Sequence, residues 1–409
     1  MTTKQTHAFA AAQTASTILG GRPDCPFMPV FGAPQVMFER GQGTQLWDVN
    51  GKRYLDFLCG IAVTSLGHSH PVIAAAIAHQ ANTLLHVSNF FANPVATQTA
   101  VMVDKLVSGS SGLASGAGQV FFCNSGAEAN EAGIKLARKF GGRGKHVVVS
   151  ALGSFHGRTL AALAATGQPE KHEPFAPMPE GFRHVVFNDI KSLEASLDAS
   201  VAAVLLETVQ GEGGVIPASV EYLQAVRKIC TERGILMMID EVQTGFARTG
   251  KWFGFQHAEI EPDVVMLAKA MGNGMPIGAL WARKEIAAVF KPGDHGSTFS
   301  GTAIATAAAR ATIQLMIDMD APTVATLRGQ ELSEKLRSVN GVVEVRGRGL
   351  LLAAELRADL DAKSIATQLL EQGLVVNGVT SHALRVAPPL TVSSAEIDEA
   401  IAIIKQVLR

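Results

Sequence analysis

The sequence predicts an α/β protein, with a large domain on a mainly parallel sheet and a smaller α+β domain assembled from both chain ends. Short apolar runs alternate with helix-period segments through the middle of the chain, which argues for a parallel sheet covered on both faces. After about Arg310 the pattern changes to mixed strands and helices. At 409 residues, 47% of them hydrophobic and 17% charged, the chain can bury two or more cores. The expected boundaries are an N-terminal arm at 1–25, a small domain at 26–70 and 311–409, and a large domain at 71–310.

Met1 to Pro23 is rich in Ala, Thr and Gln and reads as a loose arm or a helix that orders on a partner subunit. It lacks the charged start and apolar core of a secretory signal. Val36–Arg40, Gln45–Val49 and Arg53–Phe57 read as antiparallel strands, parted by Gly41–Gly43 and by the hairpin signal Asn50-Gly51. His70–Leu85, opened by Pro71, and Asn93–Leu106 have helical periodicity. Val120–Phe122 is a short strand before a helix over Ser125–Phe140. Ser125 and Glu128 have capping-box spacing there, and Lys135, Arg138 and Lys139 lie toward the end that the helix dipole makes negative. Strands follow at His146–Ser150, Val201–Glu207, Ile235–Asp240, Val264–Lys269 and Ile277–Ala282. The helix Val220–Arg233 aligns Val220, Leu223, Val226, Ile229 and Cys230 on one face and stops at Gly234. A helix near Ala303–Asp318 leads into strands at Val342–Arg346, Leu350–Glu355, Leu374–Val376 and Leu384–Val386, and a last helix spans about Ala395–Leu408.

A net charge of −1 without a basic face or charge block points away from nucleic acid, and no apolar stretch has the length of a membrane span. Cys25, Cys59, Cys123 and Cys230 are scattered and form no CxxC pair, so neither zinc nor a disulfide framework is indicated. Lone thiols fit a reducing cytoplasm, with Cys59 and Cys123 expected to pack as small apolar groups. Gly67-His68-Ser69-His70-Pro71 offers two histidines but no third metal ligand.

The chemistry concentrates where apolar runs end in a charge: Ile235-Leu236-Met237-Met238-Ile239-Asp240 and Val264-Val265-Met266-Leu267-Ala268-Lys269. An amine and a carboxylate at the mouth of a sheet are what pyridoxal 5'-phosphate (PLP) needs, the amine for a Schiff base and the carboxylate to keep the pyridine nitrogen protonated. Alone, the pair also fits a structural salt bridge. Other segments agree with the cofactor. Asn124 to Glu131 follows a strand and opens a helix, where backbone N–H groups around Gly126 and Ala127 suit a phosphate. No GxxxxGK[ST] occurs, and no GxGxxG sits between strand and helix. Phe155 could lie flat on a planar cofactor, and Arg158 could pair with a carboxylate. Glu207 and Glu212 sit on a Gly-rich stretch after a strand, where open α/β sheets bind ligands. Asp240-Glu241-Val242-Gln243 adds an amide, Ser297 and Thr298 add hydroxyls, and Arg385 could bind a second carboxylate from the small domain.

From about Phe31 to Leu408 the chain resembles the class III (subgroup II) PLP-dependent aminotransferases. The segments that carry the likeness are Phe121 to Glu131, Phe155 to Thr159, Asp240 to Gly245, Leu267 to Ala270 and His295 to Phe299. The resemblance implies PLP fold type I and a homodimer with shared active sites. It implies Lys269 as the Schiff-base lysine, Asp240 at the pyridine nitrogen, Gln243 near the ring hydroxyl and Phe155 on the ring face. Ser125, Gly126 and Ala127 would hold the phosphate, helped by Thr298 of the other subunit, with Glu241 and Val242 also in the cofactor site. Arg158 and Ser297 would contact substrate, Arg385 its α-carboxylate, and Glu212 would gate Arg385. The implied reaction moves the δ-amino group of N2-acetylornithine to 2-oxoglutarate in the cytoplasm. Donors such as 4-aminobutyrate or succinylornithine, a PLP aminomutase, racemase or decarboxylase, and a non-catalytic PLP binder are the alternatives. The chain departs from the pattern at Thr208, Asn273, Ser300 and Thr302. Ile61 stands where ornithine δ-aminotransferases carry Tyr, which argues against free ornithine as donor.

Overall fold

The computed structural model describes residues 28–31 and 34–409; the expected arm at 1–25, with Cys25 in it, lies outside the described residues. Near the N-terminus, turn residues set three short strands edge to edge: β1 (Phe38–Gln42), β2 (Gln45–Asp48) and β3 (Arg53–Asp56). In the Asn50-Gly51 turn, Gly51 takes φ +82 and Asp48 Oδ1 accepts the Asn50 and Lys52 amides at 2.9 Å. β1 begins at Phe38, two residues later than expected.

The middle of the chain supplies β4 (Gly118–Cys123), β5 (Val147–Ala151), β6 (Phe182–Val185) and β7 (Val201–Glu207). A short hairpin of β8 (Val209–Gln210) and β9 (Ile216–Pro217) follows, then β10 (Leu236–Asp240), β11 (Val264–Leu267) and β12 (Gly278–Arg283). Seven of these form one sheet in the order β4-β12-β11-β10-β7-β5-β6. Its pairings are parallel except those of β12, which runs antiparallel to both β4 and β11. Every residue of β5, β7, β10 and β11 is buried, as a sheet covered on both faces requires. β6 was not anticipated, because Phe182-Arg183-His184-Val185 has too few apolar residues; it is an edge strand paired only with β5.

Two details move the site. The strand expected to reach Lys269 stops at Leu267, and Lys269 opens a 3₁₀ turn (Lys269–Gly272) with φ +45. At the helix Gly126–Gly141, Ser125 Oγ accepts the Glu128 amide at 3.2 Å, but the Glu128 carboxylate takes the Asn124 amide (2.6 Å), one residue ahead of the cap. The helix Val220–Arg233 runs as expected from Ser219 to Gly234, which takes φ +58. The alanine-rich helix Ala303–Asp318 packs closely on Pro71–Thr83 and Pro94–Ser110.

After the helix Ala321–Arg337 come β13 (Val342–Arg348), β14 (Leu351–Leu356), β15 (Leu374–Val375), β16 (Asn377–Gly378) and β17 (Ala383–Val386). Four of them form a sheet ordered β13-β14-β17-β16. β15 instead joins β3 in parallel, Leu374 opposite Leu55, so the two ends of the chain share a sheet. Cys59, Cys123 and Cys230 are free and buried. Among the described residues no helix is long and apolar enough to cross a membrane.

Candidate active site

The sheet register brings the charged groups together. Asp240 is paired with Glu207 of β7 and with Met266 of β11, so these strands finish level with one another. Lys269 follows β11 just past the same edge, and the helix beginning at Gly126 follows β4. Between them lies a cavity of about 390 Å³. Its walls include Ser125, Gly126, Ala127, Phe155, Arg158, Asp240, Val242, Gln243 and Lys269.

Asp240 is buried and held by three donors. Asn130 Nδ2 lies 2.9 Å and His156 Nδ1 2.8 Å from Oδ2, while the Val242 amide reaches Oδ1 at 3.0 Å. A carboxylate only accepts, so the His156 proton sits on Nδ1. Asn130 also donates to the carbonyls of Gly126 (3.1 Å) and His156 (2.8 Å). It thereby ties the helix N-terminus to the loop after β5. Glu207, buried in the cavity wall, accepts the Phe155 amide at 3.0 Å, and burial pushes its carboxyl up to about 7. His156 and Asn130 are not among the expected site residues, whereas Glu207 is one of the two carboxylates the sequence places after a strand. His156 and Asn130 stood inside quoted motifs, but only the fold turns their side chains onto Asp240.

Burial of the amine lowers the pKa of Lys269, with the Arg385 charge adding to the effect. Glu212, Asp240 and Glu207 oppose the shift without cancelling it. The left-handed backbone of Lys269 is rare for a side-chain-bearing residue and marks a strained position.

The residues fit PLP. Gly126 and Ala127 occupy the first helical positions, whose amides have no acceptor within the helix. A Cβ on Gly126 would lie 2.7 Å from Val242 Cγ1, so glycine is demanded by the opposite wall of the cavity. An amine whose pKa is lowered, a hydrogen-bonded carboxylate and the Phe155 ring complete a seat for a flat, anionic pyridine.

Beyond the cavity, Arg385 on β17 is fully buried. Its Nε donates to Asn377 Oδ1 (3.1 Å), and its Nη1 to Glu212 Oε1 (2.5 Å) and Gln243 Oε1 (3.2 Å). Its Nη2 is buried with no partner among the described residues. Only 1% of the Arg385 side chain is exposed against 29% for Glu212, so the acid is the member of the pair free to leave.

Other expected site residues lie apart from the cavity. Glu241 turns away from it: its carboxylate accepts from Thr244 Oγ1 (2.5 Å) and from the Gly254 and Phe255 amides (2.9 Å). Thr298 is exposed and lines no part of the cavity, and Ser297 Oγ accepts from Asn124 Nδ2 at 3.1 Å. Asn273 takes φ +45, and its side chain binds the Leu66 amide (2.7 Å) and the Gly67 carbonyl (3.1 Å).

The aminotransferase class-III family model matches residues 30–408. An acetylornithine aminotransferase of Gloeobacter violaceus is 48% identical over 389 residues, covering 93% of this chain and 95% of that protein. The N-acetylornithine aminotransferase of Stenotrophomonas maltophilia superposes with a TM-score of 0.79 at 34% identity, covering 91% and 95% of the two chains. An ornithine aminotransferase of Toxoplasma gondii with PLP partially occupying its active site gives 0.90 at 30% identity, over 100% of this chain and 98% of that one.

Proposed function

The chain belongs to the class-III aminotransferases and is a PLP-dependent enzyme, and from that premise we propose that it transfers the δ-amino group of N2-acetylornithine to 2-oxoglutarate. The products are N-acetylglutamate 5-semialdehyde and glutamate. The observation that carries this reading is the buried Arg385 capped by the partly exposed Glu212. One site must take a long donor by its terminal amine and then a short diacid by its α-carboxylate. An arginine masked in the first half-reaction and bared in the second serves both.

PLP, when bound, supplies the electron sink that lets a C–H bond beside the amine ionise. Lys269 Nζ, whose pKa burial lowers, would take that proton and return it on the other side of the transfer. Asp240 would hold the pyridine nitrogen, and His156 and Asn130 hold Asp240. Ser125, Gly126 and Ala127 would bind the phosphate, Phe155 would cover the ring face, Gln243 would approach its hydroxyl and Arg158 would meet the substrate, all from the cavity wall. Ser297, held by Asn124 outside that wall, would be a further substrate contact.

The same reading makes the enzyme a cytoplasmic homodimer in which Thr298 completes the partner's phosphate site. Phe90, Phe91 and Phe299 support a subunit contact, being 91%, 70% and 57% exposed. Residues 26–70 and 311–409 form the small domain and 71–310 the large one.

The test is a panel of amines with 2-oxoglutarate, read as glutamate formed. N2-acetylornithine should give the highest kcat/KM; a higher value for 4-aminobutyrate or succinylornithine overturns the donor assignment. Lys269→Ala should abolish turnover while still retaining some PLP, and borohydride should trap the cofactor on Lys269 of the unaltered enzyme. Substantial residual transamination, or trapping at another lysine, defeats the reading.

A further inference from the structure

Glu212 sits in the five-residue turn that joins β8 to β9. The turn is closed by the ladder pair Gln210 and Ile216 and by the Val215 amide donating to Gly211 O at 3.4 Å. It is also strained: Val215, β-branched and fully buried, takes φ +55, and Gly214 takes φ +111. A turn in such a conformation persists only where its surroundings hold it.

The holding surface is one face of the β13-β14-β17-β16 sheet. Val209 and Val215 pack on Leu351, Ala353 and Ala383. Register places Arg346, Ala353, Arg385 and Asn377 in a single cross-strand row. Directly paired residues share a face, so two arginines point at the same turn, separated by the small Ala353 at about 10 Å, twice the strand spacing. Arg385 takes the Glu212 carboxylate. Arg346 takes the backbone instead: its Nε donates to Gly214 O at 2.8 Å, while its Nη1 is held by Glu355 Oε2 at 2.8 Å. A Cβ on Gly214 would lie 3.3 Å from Arg346 Nη2 and 3.2 Å from Thr380 Cγ2, so the turn is pressed against this support.

We propose that Arg346 is a positioning residue that clamps the turn through Gly214 O, so that the Glu212 side chain swings on and off Arg385 over a fixed backbone. The inference rests on the donor–acceptor reading above. With the clamp released, Glu212 covers Arg385 less of the time. Arg385 then stays bare in the donor half-reaction, where it attracts α-carboxylates in place of the donor.

The test uses the PLP-loaded enzyme with Arg346→Gln, and Arg346→Lys as a second variant that keeps the charge toward Glu355. The ratio of KM for the amine donor to KM for 2-oxoglutarate should rise about threefold to tenfold in Arg346→Gln, the scale of one charge-assisted hydrogen bond. It should rise less in Arg346→Lys, whose single Nζ cannot serve both partners fully. Deuterium exchange of the peptide spanning 208–217 should quicken in both variants. If Arg346→Gln does not fold, Arg346→Lys is read by the same two measures. An unmoved ratio with unchanged exchange, or a fall in kcat with both KM values shifted together, overturns the clamp. If the unaltered enzyme consumes no amine with 2-oxoglutarate, the functional reading fails instead, and the exchange measurement still decides whether Arg346 holds the turn.

Discussion

Replacing Gly126 by alanine should weaken PLP binding about tenfold, and the cause should lie across the cavity in Val242. The new Cβ would stand 2.7 Å from Val242 Cγ1, 2.9 Å from Cγ2 and 3.4 Å from Cβ. Carbon atoms settle at about 3.5–4.0 Å, so both methyl groups must retreat. Overpacking of this kind costs about 1–3 kcal/mol. Alanine at a first helical position returns a fraction of the roughly 1 kcal/mol that separates it from glycine in a helix interior. The net loss is therefore about 1–2 kcal/mol, or near one decade in a dissociation constant. The assay is titration of the apo variant with PLP, followed by tryptophan fluorescence, with thermal unfolding in parallel. Gly126→Ala combined with Val242→Ala removes the collision and should recover most of the affinity lost by Gly126→Ala alone, a coupling of about 1 kcal/mol or more. Unaltered PLP affinity in Gly126→Ala, or a double variant no better than the single, would refute the reasoning.

Two further outcomes follow from the buried acids. His156→Phe removes the donor 2.8 Å from Asp240 Oδ2; it should lower stability by about 2 kcal/mol and weaken PLP binding, and equal melting temperature and affinity would show that Asp240 does not depend on it. Burial pushes the Glu241 carboxyl up to about 7. Its folded pKa lies above the unfolded value, so the folded state holds the proton more tightly. Its contribution to stability then falls as pH rises between about 4.5 and about 7, by up to about 3 kcal/mol. Glu241→Gln removes that slope. The melting temperature of the unaltered protein relative to Glu241→Gln should drop from about pH 5 to about pH 8, and a pH-independent difference would contradict the raised carboxyl.

Asp240 and Lys269 were legible because each ends a run of apolar residues, and a charge there has nowhere to go but the rim of a sheet. Gly126 was legible from the strand-to-helix junction, though its physical reason, the Val242 wall, needed three dimensions. His156 and Asn130 were not readable as partners of Asp240. They lie 84 and 110 residues from it, and no local rule reports a contact across that distance. The exit of Lys269 from its strand was hidden too, since positive φ at a lysine comes from tertiary constraint and not from propensity. Glu241 misled because it adjoins Asp240, and in extended chain alternate side chains face opposite ways.

The reversed strand β12 has a consequence for what can enter the molecule. Six strands deliver their ends to the rim as donors of loops, but β12 delivers its beginning, and that beginning is Gly278. A Cβ there would sit 2.5 Å from Ser125 O, so the position can offer no side chain, and the segment before it, Gly274 to Ile277, lines the cavity. The lysine turn and the phosphate-ready helix thus stand two strand spacings apart, about 10 Å, with the side-chain-free Gly278 between them. That width suits one aromatic ring laid flat with its substituents, and it is kept open by topology. Drift in the surrounding loops can reshape what the enzyme prefers to transfer without closing the slot in which the transfer occurs.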